Sequence, residues 1–79
     1  MHMEVKVLFF GVLSEVTGTY FKHYHDVHSV DHLRMRIIDD FPEFAHYNYR
    51  VAVNNDITED DLPLKHDDEV AFLPPFAGG

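Results

Sequence analysis

The sequence predicts an α+β fold in which a single helix covers one face of a β-sheet. Three observations support this prediction. Short runs rich in β-branched and aromatic residues recur along the chain, and one long segment carries apolar residues at helical spacing. The length of 79 residues limits the chain to one small domain. A hydrophobic content of 46% is too high for a disordered chain, so we expect a packed core.

The first predicted strand covers residues 4–10 and ends at Gly11. Both of its faces end in apolar residues, which indicates a central strand or one with a second contact face. A short helical turn is predicted over residues 12–17, with Gly18 as its stop signal. Residues 19–28 have the composition of a second strand, although neither of its faces is clearly apolar.

The one long helix is predicted over residues 30–40. Ser29 is a suitable N-cap, because its side-chain oxygen can accept a hydrogen bond from a free backbone N–H of the first turn. Five apolar residues fall on one helical stripe, and the charged residues lie largely off it. The five are Val30, Leu33, Ile37, Ile38 and Phe41. Pro42 ends the helix.

Two further strands are predicted in the second half of the chain. Residues 50–54 alternate as a strand does, and the Asn-Asn-Asp sequence at 54–56 tolerates left-handed turn geometry. The acidic run at 59–61 is interpreted as a solvated loop rather than a metal site. Residues 62–64 and 69–73 are predicted to pair as a final hairpin.

Charge and cysteine content exclude several functional classes. Fourteen acidic and six basic residues give a formal net charge of −8 at pH 7, which opposes binding to the phosphates of nucleic acids. The absence of cysteine excludes disulfides, thiolate nucleophiles and Cys-ligated zinc. The longest apolar run, residues 7–13, is far shorter than the ~20 residues that span a bilayer. We therefore expect a cytoplasmic protein that binds neither nucleic acid nor membrane.

Side chains that could carry chemistry within the domain have simpler interpretations. His23 and His25 would share one strand face, but zinc would need a third ligand from another element, so no metal site is predicted. Neither Ser14 nor Ser29 lies in the sequence context of a nucleophile elbow, and Ser29 is already explained as a cap. We predict no catalytic group in the body of the domain.

An apolar set on the sheet face opposite the helix is the first candidate site. If the valines and aromatic residues of the strands pack beneath the helix, alternation turns Leu8, Phe10, Ala71 and Leu73 to the other face. A contiguous apolar patch on a small domain usually marks a partner interface. We predict that this set is such an interface.

The C-terminal segment, residues 74–79, is the second and more informative candidate. Pro74 and Pro75 stop strand pairing and favour an extended exit, and the sequence then ends in Phe-Ala-Gly-Gly. A terminal glycine has no β-carbon to hinder its carboxylate, and Gly-Gly is slim enough to thread a narrow channel. Such a carboxylate can be activated as an acyl adenylate and handed to a nucleophile in another protein's active site.

Three segments of the sequence carry a resemblance to a known family. They are VKVLFFGVLSEVTG near the start, AVNND in the middle and PLKHDDEVAFLPPFAGG at the end. Together they resemble the MoaD and ThiS family of ubiquitin-like sulfur carriers, and within it the MoaD-type small subunits of molybdopterin synthase. The resemblance implies a ubiquitin-like β-grasp domain over residues 1–73, with a mixed four- to five-stranded sheet, and a flexible Gly-Gly tail over residues 74–79.

The resemblance also implies a function for the tail. In that family, an adenylating enzyme of the ubiquitin-activating type (MoeB type) uses ATP to adenylate the C-terminal glycine, and a sulfur donor replaces the AMP to give a thiocarboxylate. The tail then enters the large synthase subunit (MoaE type), where the sulfur goes to cyclic pyranopterin monophosphate. Gly79 carries over as the sulfur-bearing residue and Gly78 as its threading partner. No bound cofactor is expected.

Interface residues carry over from the family as well. Phe10, Ile57 and Leu73 match positions where the family places apolar contacts, which agrees with the face argument for Phe10 and Leu73. The full predicted interface comprises Leu8, Phe10, Ile57, Leu73, Pro74, Pro75 and Phe76. Ser14 departs from the family pattern, since many members have a basic residue there.

Three alternative functions stay open at this stage. The thiamin-pathway sulfur carriers share the fold and the Gly-Gly ending, but they are usually shorter and lack the Val-Leu-Phe-Phe start and the Pro-Pro exit. A protein modifier that forms an isopeptide bond on target lysines would need the same activated Gly79. A non-covalent interaction module would make the Gly-Gly ending accidental.

Overall fold

Five strands form one mixed sheet in the computed structural model, which describes residues 3–75. The elements in chain order are β1 (Glu4–Phe9), α1 (Val12–Thr17), β2 (Phe21–His25), α2 (Val30–Asp40), a 3-10 helix (Pro42–His46), β3 (Arg50–Val53), β4 (Asp56–Thr58) and β5 (Glu69–Leu73). The order across the sheet is β2-β1-β5-β3-β4. β1 and β5 pair in parallel at the centre, and the other neighbours are antiparallel. The predicted α+β fold with a mixed sheet is confirmed.

The core lies between α2 and one face of the sheet, and aromatic rings fill its centre. Phe9 of β1 and Phe72 of β5 are opposite each other in register and are almost completely buried. Phe44, from the 3-10 helix, packs edge-on against both rings, with centroid distances of 5.8 and 5.4 Å. The sequence predicts no helix or strand at Phe44. In the structure this side chain is 0% exposed and central to the packing.

The predicted helix is confirmed over Val30–Asp40, with the predicted cap. The Ser29 hydroxyl accepts a hydrogen bond from the backbone N–H of His32 at 3.2 Å. The residues of the apolar stripe differ in burial. Val30, Leu33 and Ile37 are buried, and Ile38 and Phe41 are partly buried at its margin. No helix among residues 3–75 is long and apolar enough to cross a membrane.

The predicted final hairpin is wrong. β5 pairs with β1 and β3, and residues 62–64 contribute only one isolated bridge, between Ser29 and Pro63. The hairpin partner of β3 is β4, a three-residue strand too short to show alternation. The two strands are joined through Asn54 and Asn55, both with positive φ, as tight hairpin turns require. The turn prediction was right and the strand pairing was not.

β2 is shorter than predicted, because Asp26 ends it with a φ of 58°, outside the extended region. The structure also establishes the direction of its side chains. Tyr24 is buried on the side of α2, whereas the alternating residues Phe21, His23 and His25 are exposed on the other side.

Tyr24 joins β2 to the end of α2. Its hydroxyl donates a hydrogen bond to Asp40 Oδ2 at 2.8 Å, and Lys22 Nζ lies 3.7 Å from the same oxygen. Burial is the main cause that raises the pKa of Tyr24 far above its ordinary value, and the hydrogen bond to Asp40 adds to it. The folded state therefore holds this proton more tightly than the unfolded chain does.

Replacing Tyr24 with phenylalanine should remove part of the alkaline loss of stability. In the wild type, the unfolded chain releases the Tyr24 proton at about pH 10, whereas the folded chain retains it. The free energy of unfolding should therefore decrease as the pH rises above about 10, and this contribution is absent from Tyr24→Phe. Urea unfolding of both proteins between about pH 8 and pH 11 measures the difference.

Tyr20→Phe is the matched control, because the Tyr20 side chain is 78% exposed. At neutral pH, Tyr24→Phe should be less stable by about 1 kcal/mol, since it loses the hydrogen bond to Asp40. The stability curves of the wild type and Tyr24→Phe should then converge at alkaline pH. Parallel curves would contradict this account of Tyr24.

Candidate functional site

The sheet face opposite α2 carries the predicted apolar set, and we call it the helix-free face. Strand alternation and register assign its members, because residues opposite each other in a sheet point to the same side. They are Glu4, Lys6, Leu8, Phe21, His23, His25, Arg50, Ala52, Ile57, Glu69, Ala71 and Leu73. Within residues 3–75, the buried apolar side chains of the helices all belong to the core on the opposite side.

One register row of the helix-free face is apolar across all five strands. Leu8 of β1 lies opposite Phe21 of β2 on one side and Ala71 of β5 on the other. Ala71 lies opposite Ala52 of β3, which lies opposite Ile57 of β4. Directly opposed Cβ atoms are about 4.5–5.5 Å apart, so these five side chains form one continuous surface. We call it the apolar row.

The structure places three of the sequence-predicted interface residues, Leu8, Ile57 and Leu73, in or next to this row. Leu8 and Ile57 belong to it, and Leu73 lies two residues beyond Ala71 on β5. Phe10 follows β1 with a side chain 45% exposed, and its backbone N–H donates to the carbonyl of Phe72 at 3.1 Å. Sequence reasoning missed Phe21 and Ala52, because it could not orient the second strand or assign the strand register.

Charge is distributed unevenly between this face and the rest of the molecule. The helix-free face has two acidic residues, Glu4 and Glu69, and two basic ones, Lys6 and Arg50. Of the 14 acidic and 6 basic residues in the sequence, 12 and 4 therefore lie elsewhere, so the whole formal charge of −8 resides off this face. The face carries no net formal charge on an acidic protein, and half of its side chains are apolar, which suits contact with a protein partner.

The chain leaves the sheet from its centre, at the end of β5. Leu73 lies opposite Arg50 on the helix-free face, Pro74 is partly buried and Pro75 is exposed. Gly11 makes room for this exit, since a Cβ placed there would lie 2.8 Å from Pro74 Cγ and its φ is +57°. The predicted tail residues Phe76, Gly78 and Gly79 lie outside the described residues.

The histidines make local contacts. His28 and His32 stack with ring centroids 5.6 Å apart, and His32 Nδ1 accepts a hydrogen bond from the His28 backbone N–H. His23 Nδ1 lies 4.0 Å from Glu4 Oε2 at the surface. Within residues 3–75, no group of three or more histidine and carboxylate side chains is arranged to hold a metal ion. The acidic run at 59–61 is exposed, as the sequence predicts for a solvated loop.

Comparisons with known proteins agree with the fold and the sequence resemblance. The sequence pattern of the ThiS family matches residues 7–79. The molybdopterin synthase sulfur carrier subunit of Escherichia coli (strain K12) is 35% identical, over 95% of this chain and 99% of that protein. A solved complex of subunits 1 and 2 of the molybdopterin-converting factor from Helicobacter pylori contains a chain that is 25% identical, with a TM-score of 0.72 and coverage of 98% and 100%.

A third similarity concerns the fold alone. Small archaeal modifier protein 1 from Methanosarcina acetivorans has a solution structure that superposes with a TM-score of 0.85 at 22% identity. The match covers 100% of this chain and 99% of that one. The β-grasp architecture is thus shared with a protein named as a modifier.

Phe9 and Phe10 are adjacent in sequence, but truncation should lower the free energy of unfolding much more at Phe9 than at Phe10. Phe9 is 2% exposed and Phe10 is 45% exposed. Phe9→Ala leaves a cavity in the aromatic core and should lower the free energy of unfolding by about 3–5 kcal/mol, a large share of the stability of so small a domain. Phe10→Ala should lower it by less than about 1 kcal/mol. Chemical denaturation measures both, and similar losses would place Phe10 in the core instead of the site.

Proposed function

Since this chain belongs to the ThiS family, we propose that it is a sulfur carrier of the MoaD type whose reactive group is the Gly79 carboxylate. The observation that carries the proposal is the 35% identity, over nearly the whole of both chains, to a protein named as the sulfur carrier subunit of molybdopterin synthase. The central exit of β5 adds support, because it delivers the tail beside an apolar face.

The proposed chemistry takes place on the C-terminal carboxyl group. A carboxylate oxygen of Gly79 attacks the α-phosphate of ATP, pyrophosphate leaves, and an acyl adenylate forms. Sulfur at the oxidation level of sulfide, supplied by a donor, then attacks the carbonyl carbon, and AMP leaves with the former carboxylate oxygen. The product is a thiocarboxylate, and neither step oxidises or reduces the chain.

Partner enzymes supply the catalytic groups in this proposal. An adenylating enzyme of the ubiquitin-activating type (MoeB type) binds the ATP, and the large synthase subunit (MoaE type) holds cyclic pyranopterin monophosphate while it accepts the sulfur. The carrier contributes a slim reactive terminus, in which Gly78 follows Gly79 into the narrow channel of the partner enzyme. Activation uses ATP, and the sequence has no cysteine with which to form the disulfides common in oxidising compartments. We therefore propose that the protein acts in the cytoplasm.

The large subunit is the proposed partner for the helix-free face. Support comes from the Helicobacter pylori relative, which was solved in a complex of subunits 1 and 2. On this chain, Leu8, Phe10 and Leu73 would form the centre of the contact, because Leu8 and Leu73 are apolar members of the helix-free face and Phe10 is 45% exposed directly after β1. The remaining predicted contacts are Ile57, Pro74, Pro75 and Phe76.

Changing the length of the tail by one residue should abolish sulfur loading. Deleting Gly79 moves the carboxylate back by about 3.5 Å, and an error of ~1 Å in a positioned reactant can lower a rate about a hundredfold. Intact protein incubated with the adenylating enzyme, ATP and a sulfur donor should gain about 16 Da, as oxygen is replaced by sulfur. Mass spectrometry detects the gain, which should be missing from the deletion variant and from a variant with one added residue.

Thermal unfolding provides the control for the tail variants, because residues 76–79 follow the last strand and the midpoint should be nearly unchanged. A truncated protein that still gains 16 Da, or an intact one that never does, would refute sulfur carriage through Gly79. Attachment of the intact chain to a protein lysine would identify a modifier instead.

Phe10→Ala should weaken binding to the large subunit more than Asp60→Ala does. Phe10 lies in the proposed centre of the contact, where truncation of a desolvated anchor commonly costs more than ~2 kcal/mol. Asp60 is exposed in the acidic loop after β4 and is not a member of the helix-free face. Calorimetric titration of each variant with the large subunit gives the two affinities. A larger effect at Asp60 would show that the patch is assigned to the wrong surface.

A further inference from the structure

Phe21 has an environment that its position on an edge strand does not explain. Its side chain is 51% exposed on the helix-free face, with Lys6 Nζ 5.4 Å above the ring and the His23 ring 5.9 Å away, edge to face. Its direct neighbour in register is Leu8, a proposed anchor of the partner contact. A half-exposed phenyl group that continues an apolar surface is typical of an interface residue.

The side chains of the apolar row also differ in size and exposure along its length. Phe21 and Leu8 stand at one end and Ile57 at the other, and the alanines Ala71 and Ala52 lie between Leu8 and Ile57. Phe21 and Ile57 are 51% and 54% exposed, whereas Ala52 is only 6% exposed although it is on the open side of the sheet. The row crosses four inter-strand spacings of about 4.8 Å each, roughly 19 Å in all, and the two alanines form a shallow trough within it.

The reach of the tail identifies what covers this trough. Gly79 is four residues beyond Pro75 in the sequence, and that stretch spans at most about 14 Å. Any protein whose active site takes the Gly79 carboxylate must therefore come close to the end of β5, where Leu73 is two residues from Ala71 in the trough. The electroneutrality of the helix-free face allows that approach to an otherwise acidic protein.

We propose that the contact with the large subunit extends to the edge strand β2, where Phe21, with Ile57 at the opposite edge, flanks an apolar segment of that subunit lying across the sheet. This inference rests on the proposed function and adds Phe21 as a specificity-determining residue. A standard-sized interface buries about 800 Å² on each partner, and a contact that reaches both edge strands draws on more of the helix-free face than Leu8, Phe10 and Leu73 alone.

Phe21→Ala is the direct test, with Tyr20→Ala as its matched control. Tyr20 is the adjacent aromatic residue, 78% exposed, and precedes β2 outside the apolar row. Affinity for the large subunit of the same organism should fall at least about tenfold for Phe21→Ala and change by less than about twofold for Tyr20→Ala. The thermal midpoints of both variants should stay close to the wild type, because neither side chain is in the core.

Ala71→Leu tests the trough independently, since it adds bulk where the partner would lie without removing any contact. It should weaken binding to the large subunit as well, while the domain stays folded because the added side chain points to the open face. Leu8→Ala serves as the reference variant within the central contact. The gain of about 16 Da at the tail is measured on every variant in parallel.

Each result has one interpretation. Unchanged affinity in Phe21→Ala, with weakened binding in Leu8→Ala, would overturn the extension to β2 and leave the proposed function intact. An equal loss of affinity in Tyr20→Ala would overturn the assignment of Phe21 as the specific contact. Loss of the mass gain in Phe21→Ala, with normal affinity for the large subunit, would assign Phe21 to the adenylating enzyme and overturn the proposal. Failure of the intact protein to gain mass would instead overturn the proposed function itself.

Discussion

The parallel pairing of β1 with β5 is the interaction on which the rest of this structure depends. It joins the two ends of the chain at the centre of the sheet, with Val7 opposite Val70 and Phe9 opposite Phe72. Those four side chains are almost fully buried and form the floor of the core beneath α2. The same pairing fixes where the chain leaves the sheet, because β5 lies between β1 and β3 and the chain continues from its end.

One register serves two purposes in this sheet. The residues that point towards α2 build the aromatic core, and the residues between them build the apolar row on the opposite side. Since a shift of one residue would exchange the two faces, the buried phenylalanines keep the apolar row on the open side. A small domain can in this way present a defined apolar surface through its strand register.

Local signals were predictable from the sequence, and long-range pairings were not. The bounds of α2 follow from the Ser29 cap, the apolar stripe and Pro42, all within a few residues of the helix. The partner of β5 depends on residues about 20 and 60 positions away, so no local pattern specifies it. Phe21 was missed for the same reason, because only its register against Leu8 makes it part of a continuous surface.

The central pairing also orders the assembly of the sheet during synthesis. Val7 and Val70 are 63 positions apart, and contacts between such distant residues form late and slowly in folding. Until β5 is made, β1 and β3 have no strand between them, so the Phe9–Phe72 stack of the core and the centre of the apolar row are missing. The helix-free face is therefore complete only in a chain that already contains the segment that leaves the sheet through Pro74.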